Sequence, residues 1–69
     1  MEIVSTMSGT VWKITVAVGD EVKKGDTVVI LESMKMEIPI ESAFDGQVEL
    51  IAVQEGDFVQ ENDLVVKLS

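Results

Sequence analysis

Apolar residues recur along this chain with the period of strands rather than helices. Val11, Ile14 and Val16 in the first half, and Val48, Leu50 and Ala52 in the second, lie in short runs of strand length. Val28-Val29-Ile30-Leu31 and Leu64-Val65-Val66 are unbroken apolar runs, the pattern of a strand buried on both faces or closing a small barrel. No stretch carries apolar residues at helical spacing over a helix's length with caps at both ends. The chain reads as all-β. Strands are expected near residues 2–5, 10–16, 27–32, 37–41, 47–53 and 64–68, with shorter ones around 21–22 and 58–59.

The pattern is written twice. Residues 1–32 and 38–69 align at a constant offset of 37 with no gap, through pairs such as Ile3/Ile40, Ser5/Ser42, Gly9/Gly46, Val11/Val48, Gly19/Gly56, Asp20/Asp57 and Val29/Val66. Ser8-Gly9 and Asp45-Gly46 are turn signals, and Val18-Gly19-Asp20 recurs as Glu55-Gly56-Asp57. Lys24-Gly25-Asp26 faces Glu61-Asn62-Asp63. Glycine and asparagine accept positive φ most readily, so this exchange keeps a left-handed backbone position. Either half alone would leave an apolar face and open strand edges. Pairing the halves about a pseudo-twofold axis covers both. The expected fold is one domain over 1–69, a flattened β-barrel or sandwich of two pseudo-twofold-related four-strand halves. Residues 33–37 then form a tight hairpin centred on Lys35. The chain termini should pair near one end, with the hairpin at the other.

Composition narrows the chemistry. A chain of 69 residues is near the lower limit for folding without disulfides or metal. It has no cysteine and no histidine, which excludes disulfides, thiolate metal sites and histidine-based catalysis. The formal net charge is −8, so phosphate backbones are repelled and nucleic-acid binding is not expected. With 46% hydrophobic residues, the charge does not imply disorder. The acidic surface suits steering toward basic partner surfaces. Neither a secretory signal nor a membrane anchor is visible, so a monomer in the cytoplasm is the expectation. Asp20, Glu21 and Asp26 lack calcium-loop spacing and read as turn formers and solvated charges. Trp12 aligns with Glu49, so its position should tolerate exposure with partial packing at a barrel end.

Lys35 is the centre of the only segment outside the repeat, and Met34 and Met36 bracket it. A catalytic or Schiff-base lysine needs burial or a nearby cation, and its neighbours Glu32 and Glu37 supply neither. A lone lysine is usually a solvated side chain, and methionine is a routine core filler. Yet residues on both sides of a tight turn cannot easily both be deep in a core. Two unbranched apolar side chains around an exposed amine suit an adaptable recognition surface for a modifying enzyme. An unmodified β module for protein interaction is the reading of another class, and it predicts no cofactor on Lys35.

Glu32-Ser33-Met34-Lys35-Met36-Glu37, followed by Pro39-Ile40, closely resembles the attachment motif of biotinyl domains, usually Ala-Met-Lys-Met. Val18-Gly19-Asp20, Val22, Gly25-Asp26, Gly46 and Gly56-Asp57 match the flanking pattern, and the match runs from about Ser5 to Leu68. The resemblance implies the barrel-sandwich hybrid fold of the biotinyl/lipoyl attachment family. It implies a biotin carrier rather than an enzyme. In that family a biotin protein ligase joins biotin, through its adenylate, to the amine matching Lys35, with Met34 and Met36 as recognition residues and Glu32 and Ser33 in secondary roles. The arm so created measures about 10–15 Å by summed bond lengths, and it moves carboxyl between biotin carboxylase and carboxyltransferase. Ser33 departs from the usual alanine, and Glu32-Ser33 before the lysine is similar to lipoyl-bearing glycine-cleavage H proteins. Lipoate, added by a lipoate ligase, is therefore the alternative cofactor. The gapless repeat leaves no room for the protruding thumb of some bacterial acetyl-CoA carboxylase carriers.

Overall fold

A computed structural model describes all residues, 1–69, as eight strands and no helix. They are β1 (Glu2–Val4), β2 (Gly9–Ile14), β3 (Glu21–Val22), β4 (Thr27–Ser33), β5 (Met36–Glu41), β6 (Gly46–Ile51), β7 (Phe58–Val59) and β8 (Leu64–Leu68). Every expected strand is present, including the two short ones. The expected ends at 16 and 53 overran, because β2 stops at Ile14 and β6 at Ile51. The overrun has a physical cause. Thr15 N–H still donates to Val28 O at 3.0 Å and Ala52 N–H to Val65 O at 2.9 Å, while Val16 and Val53 still pack on the core.

Two antiparallel four-stranded sheets form, in the orders β1-β8-β6-β3 and β5-β4-β2-β7. The offset of 37 exchanges them strand for strand. Neither half of the chain is a sheet by itself, because each sheet takes two strands from each half. The halves are interleaved, so that β7 borders β2 and β3 borders β6. Both chain ends lie in the sheet that does not carry the hairpin. There Met1 and Leu68 exchange backbone hydrogen bonds, 2.7 Å from Leu68 N–H to Met1 O and 2.9 Å from the Met1 amine to Leu68 O.

The core is a single cluster of buried aliphatics, with Val11, Val28, Val29, Leu31 and Ile40 facing Val48, Val65, Val66, Leu68 and Ile3. Four register shifts at symmetric places shape it. Trp12 and Glu49 are the extra residues in β2 and β6; Val28 and Val65 are those in β4 and β8. A bulge lets two successive side chains share one face. The consecutive valines at 28–29 and 65–66 are therefore all buried within one core, which corrects the reading of strands covered on both faces. The bulge at Glu49 also corrects the second-half alternation. Val48, Ile51 and Val53 turn inward, whereas Leu50 and Ala52 are exposed.

Turns repeat as faithfully as strands. Asp20, Asp26, Asp57 and Asp63 each accept a hydrogen bond from the backbone N–H three residues before, at 2.8–3.0 Å. These carboxylates close their own turns. Gly25 and Asn62 both have positive φ, 95° and 74°, as their exchange in the repeat implies. Ser5 and Ser42 are buried, and each hydroxyl donates to the carbonyl two residues on, Met7 O and Phe44 O.

Candidate functional site

The hairpin is tighter than the expected segment 33–37. Ser33 pairs with Met36 and Glu32 with Glu37 in the β4–β5 ladder, so only Met34 and Lys35 form the turn. Their φ values are 51° and 66°. Two positive φ values in a two-residue loop are the type I′ geometry, whose twist matches that of the strands it joins. Asparagine and glycine normally fill it. A side chain at a left-handed position costs on the order of 1–2 kcal/mol, and this turn carries two. Such strain persists only where the surroundings hold it in place. Here β4 and β5 do so, with six paired positions running into the core.

Exposure rises toward the tip. Leu31 is fully buried, Ser33 half-buried, and Lys35 and Glu37 exposed. Met34 is 91% exposed and Met36 60%, so neither is core. At the root, Gly9 of β2 leaves space that a side chain would fill, since a Cβ there would sit 3.1 Å from Glu32 O and 3.6 Å from Ser33 Cβ. Glu32 and Glu37 are directly opposite each other across the ladder, an arrangement unfavourable for like charges. Neither of the two surface depressions includes any residue from 32 to 37. The geometry presents an amine on a stiff stalk, flanked by two open thioethers above an acidic pair. No helix is long and apolar enough to cross a membrane.

A model of the biotin/lipoyl family, described as biotin-requiring enzyme, matches residues 1–68. The chain belongs to the biotin/lipoyl attachment family. It is 48% identical over 69 residues to the biotin/lipoyl attachment protein of Bacillus subtilis, covering 100% of this chain and 94% of that protein. It is 45% identical over 67 residues to pyruvate carboxylase of Aspergillus niger, covering 97% of this chain but 6% of the enzyme. The crystal structure of Kluyveromyces lactis urea carboxylase contains the same fold at a TM-score of 0.93 and 38% identity, again over 100% of this chain and 6% of that one. This is thus a small attachment domain, homologous to biotin-carrying segments of carboxylases, and those relatives favour biotin over lipoate.

The five residues singled out by the motif, Glu32, Ser33, Met34, Lys35 and Met36, are all brought together at this one tip. Phe58 drew no expectation, yet it is 65% exposed on β7 of the hairpin-bearing sheet. The signal that could have found it is its mismatch with Glu21, its partner in the repeat.

Proposed function

We propose that Lys35 Nζ is the point of covalent biotin attachment and that this chain serves as a carboxyl carrier. One observation carries the reading. The only lysine in a left-handed turn stands, exposed, at the tip of the only segment outside the repeat. A biotin protein ligase would supply the base and the activated acid. After one proton leaves the ammonium, the Nζ lone pair would attack the biotinyl-adenylate carbonyl. The acyl–phosphate bond breaks, adenylate departs, a second proton is lost, and the amide left on Lys35 is uncharged. Once joined, biotin supplies a ureido nitrogen that accepts and yields carboxyl.

The chain's own residues present and orient the arm. The short turn and paired strands hold the lysine Cα fixed, so the reach is set by the arm alone. Exposed Met34 and Met36 offer adaptable apolar contacts on both sides. The domain performs no bond-making itself; it raises the local concentration of its cargo at partner sites. Those partners are a biotin carboxylase and a carboxyltransferase, by analogy with the carboxylases it resembles. We assign a monomer in the cytoplasm, to which the cysteine-free composition is suited.

Coexpression with a biotin ligase should add the mass of one biotin, and Lys35→Ala should abolish the addition. A mass increase persisting in Lys35→Ala would overturn the site. A parallel incubation with lipoate ligase tests the cofactor; exclusive lipoylation would overturn the assignment of biotin.

A further inference from the structure

The pseudo-twofold axis provides an internal control, because each outward position on one sheet has a counterpart on the other. The hairpin-bearing sheet shows Trp12, Ile30, Pro39 and Phe58 on its outer face. The counterparts at the offset of 37 are Glu49, Lys67, Glu2 and Glu21. Four apolar positions thus correspond to four charged ones, while Lys13/Leu50 and Glu41/Val4 run the other way. Trp12 is 48% and Phe58 65% exposed. The register brings them to the lysine. Phe58, Thr10, Glu32 and Glu37 form one row across β7, β2, β4 and β5, one residue from the Ser33–Met36 pair that closes the turn. Trp12 is the extra residue of the bulge that follows Thr10 and Val11, so its ring is thrown onto the same face. Glu32, Glu37 and Glu41 rim this face, with Lys13 as its cation.

We infer that this face, anchored by Trp12 and Phe58, docks the biotin protein ligase. The inference rests on Lys35 being the acceptor. A ligase must bring its active site to Nζ itself, which sets its body against a face whose first row, Glu32 and Glu37, lies next to the pair that closes the turn. A carboxylase or transferase acts at the end of an extended arm and can stand off. The acidic rim calls for a basic margin on the ligase around an apolar socket for the rings, since aromatic anchors in desolvated pockets carry most interface energy. The face also tells the ligase which sheet of the near-symmetric domain bears the hairpin.

Steady-state biotinylation of the intact 69-residue chain tests this, comparing wild type with Trp12→Glu, Phe58→Glu and their double variant. Glutamate is the residue that the repeat places at both counterpart positions, so these changes suit the backbone. Leu50→Glu makes the same charge change on the other sheet, where Leu50 is also about half exposed. The double variant should raise KM for the carrier about tenfold or more with kcat within about twofold, and Leu50→Glu should leave both within about twofold. An unchanged KM in the double variant, or an equal rise in Leu50→Glu, would overturn the docking face. Thermal unfolding checks integrity, and Trp12→Gln with Phe58→Gln replaces the glutamates if these melt early. An unmodified wild type would instead overturn the biotin-carrier reading on which the face depends.

Discussion

At the tip of the hairpin, Met34 and Lys35 hold φ values that side chains avoid. Position 34 could be relaxed by the residue that Asn62 represents elsewhere in the chain. Met34→Asn should raise stability by about 1 kcal/mol, or roughly 4–8 °C in Tm for a domain of this size. It should also slow biotinylation through loss of an exposed thioether. Paired thermal melts and ligase kinetics read the two effects separately. Ser5 and Ser42 make the opposite case. Each is buried and returns a hydrogen bond to its own chain, so alanine at either site should cost about 1–2 kcal/mol in urea unfolding by orphaning a carbonyl. Residue identity made some of this legible. Lys35 stood out as the centre of the unrepeated segment, and Gly25 and Asn62 announced their backbone conformation. The turn at 34–35 was hidden because neither residue type advertises positive φ; the strands on either side impose it.

Strand existence was legible from apolar spacing, whereas strand geometry was not. The repeat pairs Trp12 with Glu49 and Val28 with Val65, but nothing in those residue types marks a bulge. A bulge is a relation between two strands, visible only once the register is set. The glycines that open β2 and β6 depend on such relations too. A Cβ on Gly46 would meet Ser69 O at 2.9 Å and Leu68 Cβ at 3.1 Å, both across the β6–β8 contact. Gly46→Ala should destabilise by about 1–3 kcal/mol, measured as a lower urea midpoint with an unchanged m-value. Strand β5 is an edge, and Pro39 interrupts it. Counting from the Ser33–Met36 pair, position 39 alternates to a place whose N–H would point away from β4, toward open solvent. Proline costs the ladder nothing there and denies a donor to any incoming strand. Pro39→Thr should leave the melting curve within a few degrees while promoting self-association, seen as a concentration-dependent mass in sedimentation.

For the molecule as a whole, the repeat implied a pseudo-twofold and the structure has one, within a body of 31 × 19 × 19 Å. The interleaving was beyond the sequence, since the same pairing of apolar faces is satisfied by two separate half-sheets. In the woven form each half completes the other's sheet. Short β3 and β7 each extend the sheet built mainly around the other half's strands, and the turns that precede them bond across halves. Gly19 N–H donates to Val48 O and Gly56 N–H to Val11 O, at 2.9 and 2.8 Å. The same symmetry has a consequence for how the chain can be joined to anything else. Ser69 corresponds to Glu32, and Met1 to Ile38, so the gap between the chain's ends is the counterpart of residues 33–37. The domain is a closed loop of chain opened at one of its two equivalent corners. A fusion partner attached at either terminus leaves from the corner opposite the hairpin, and the turn that carries Lys35 stays clear of it.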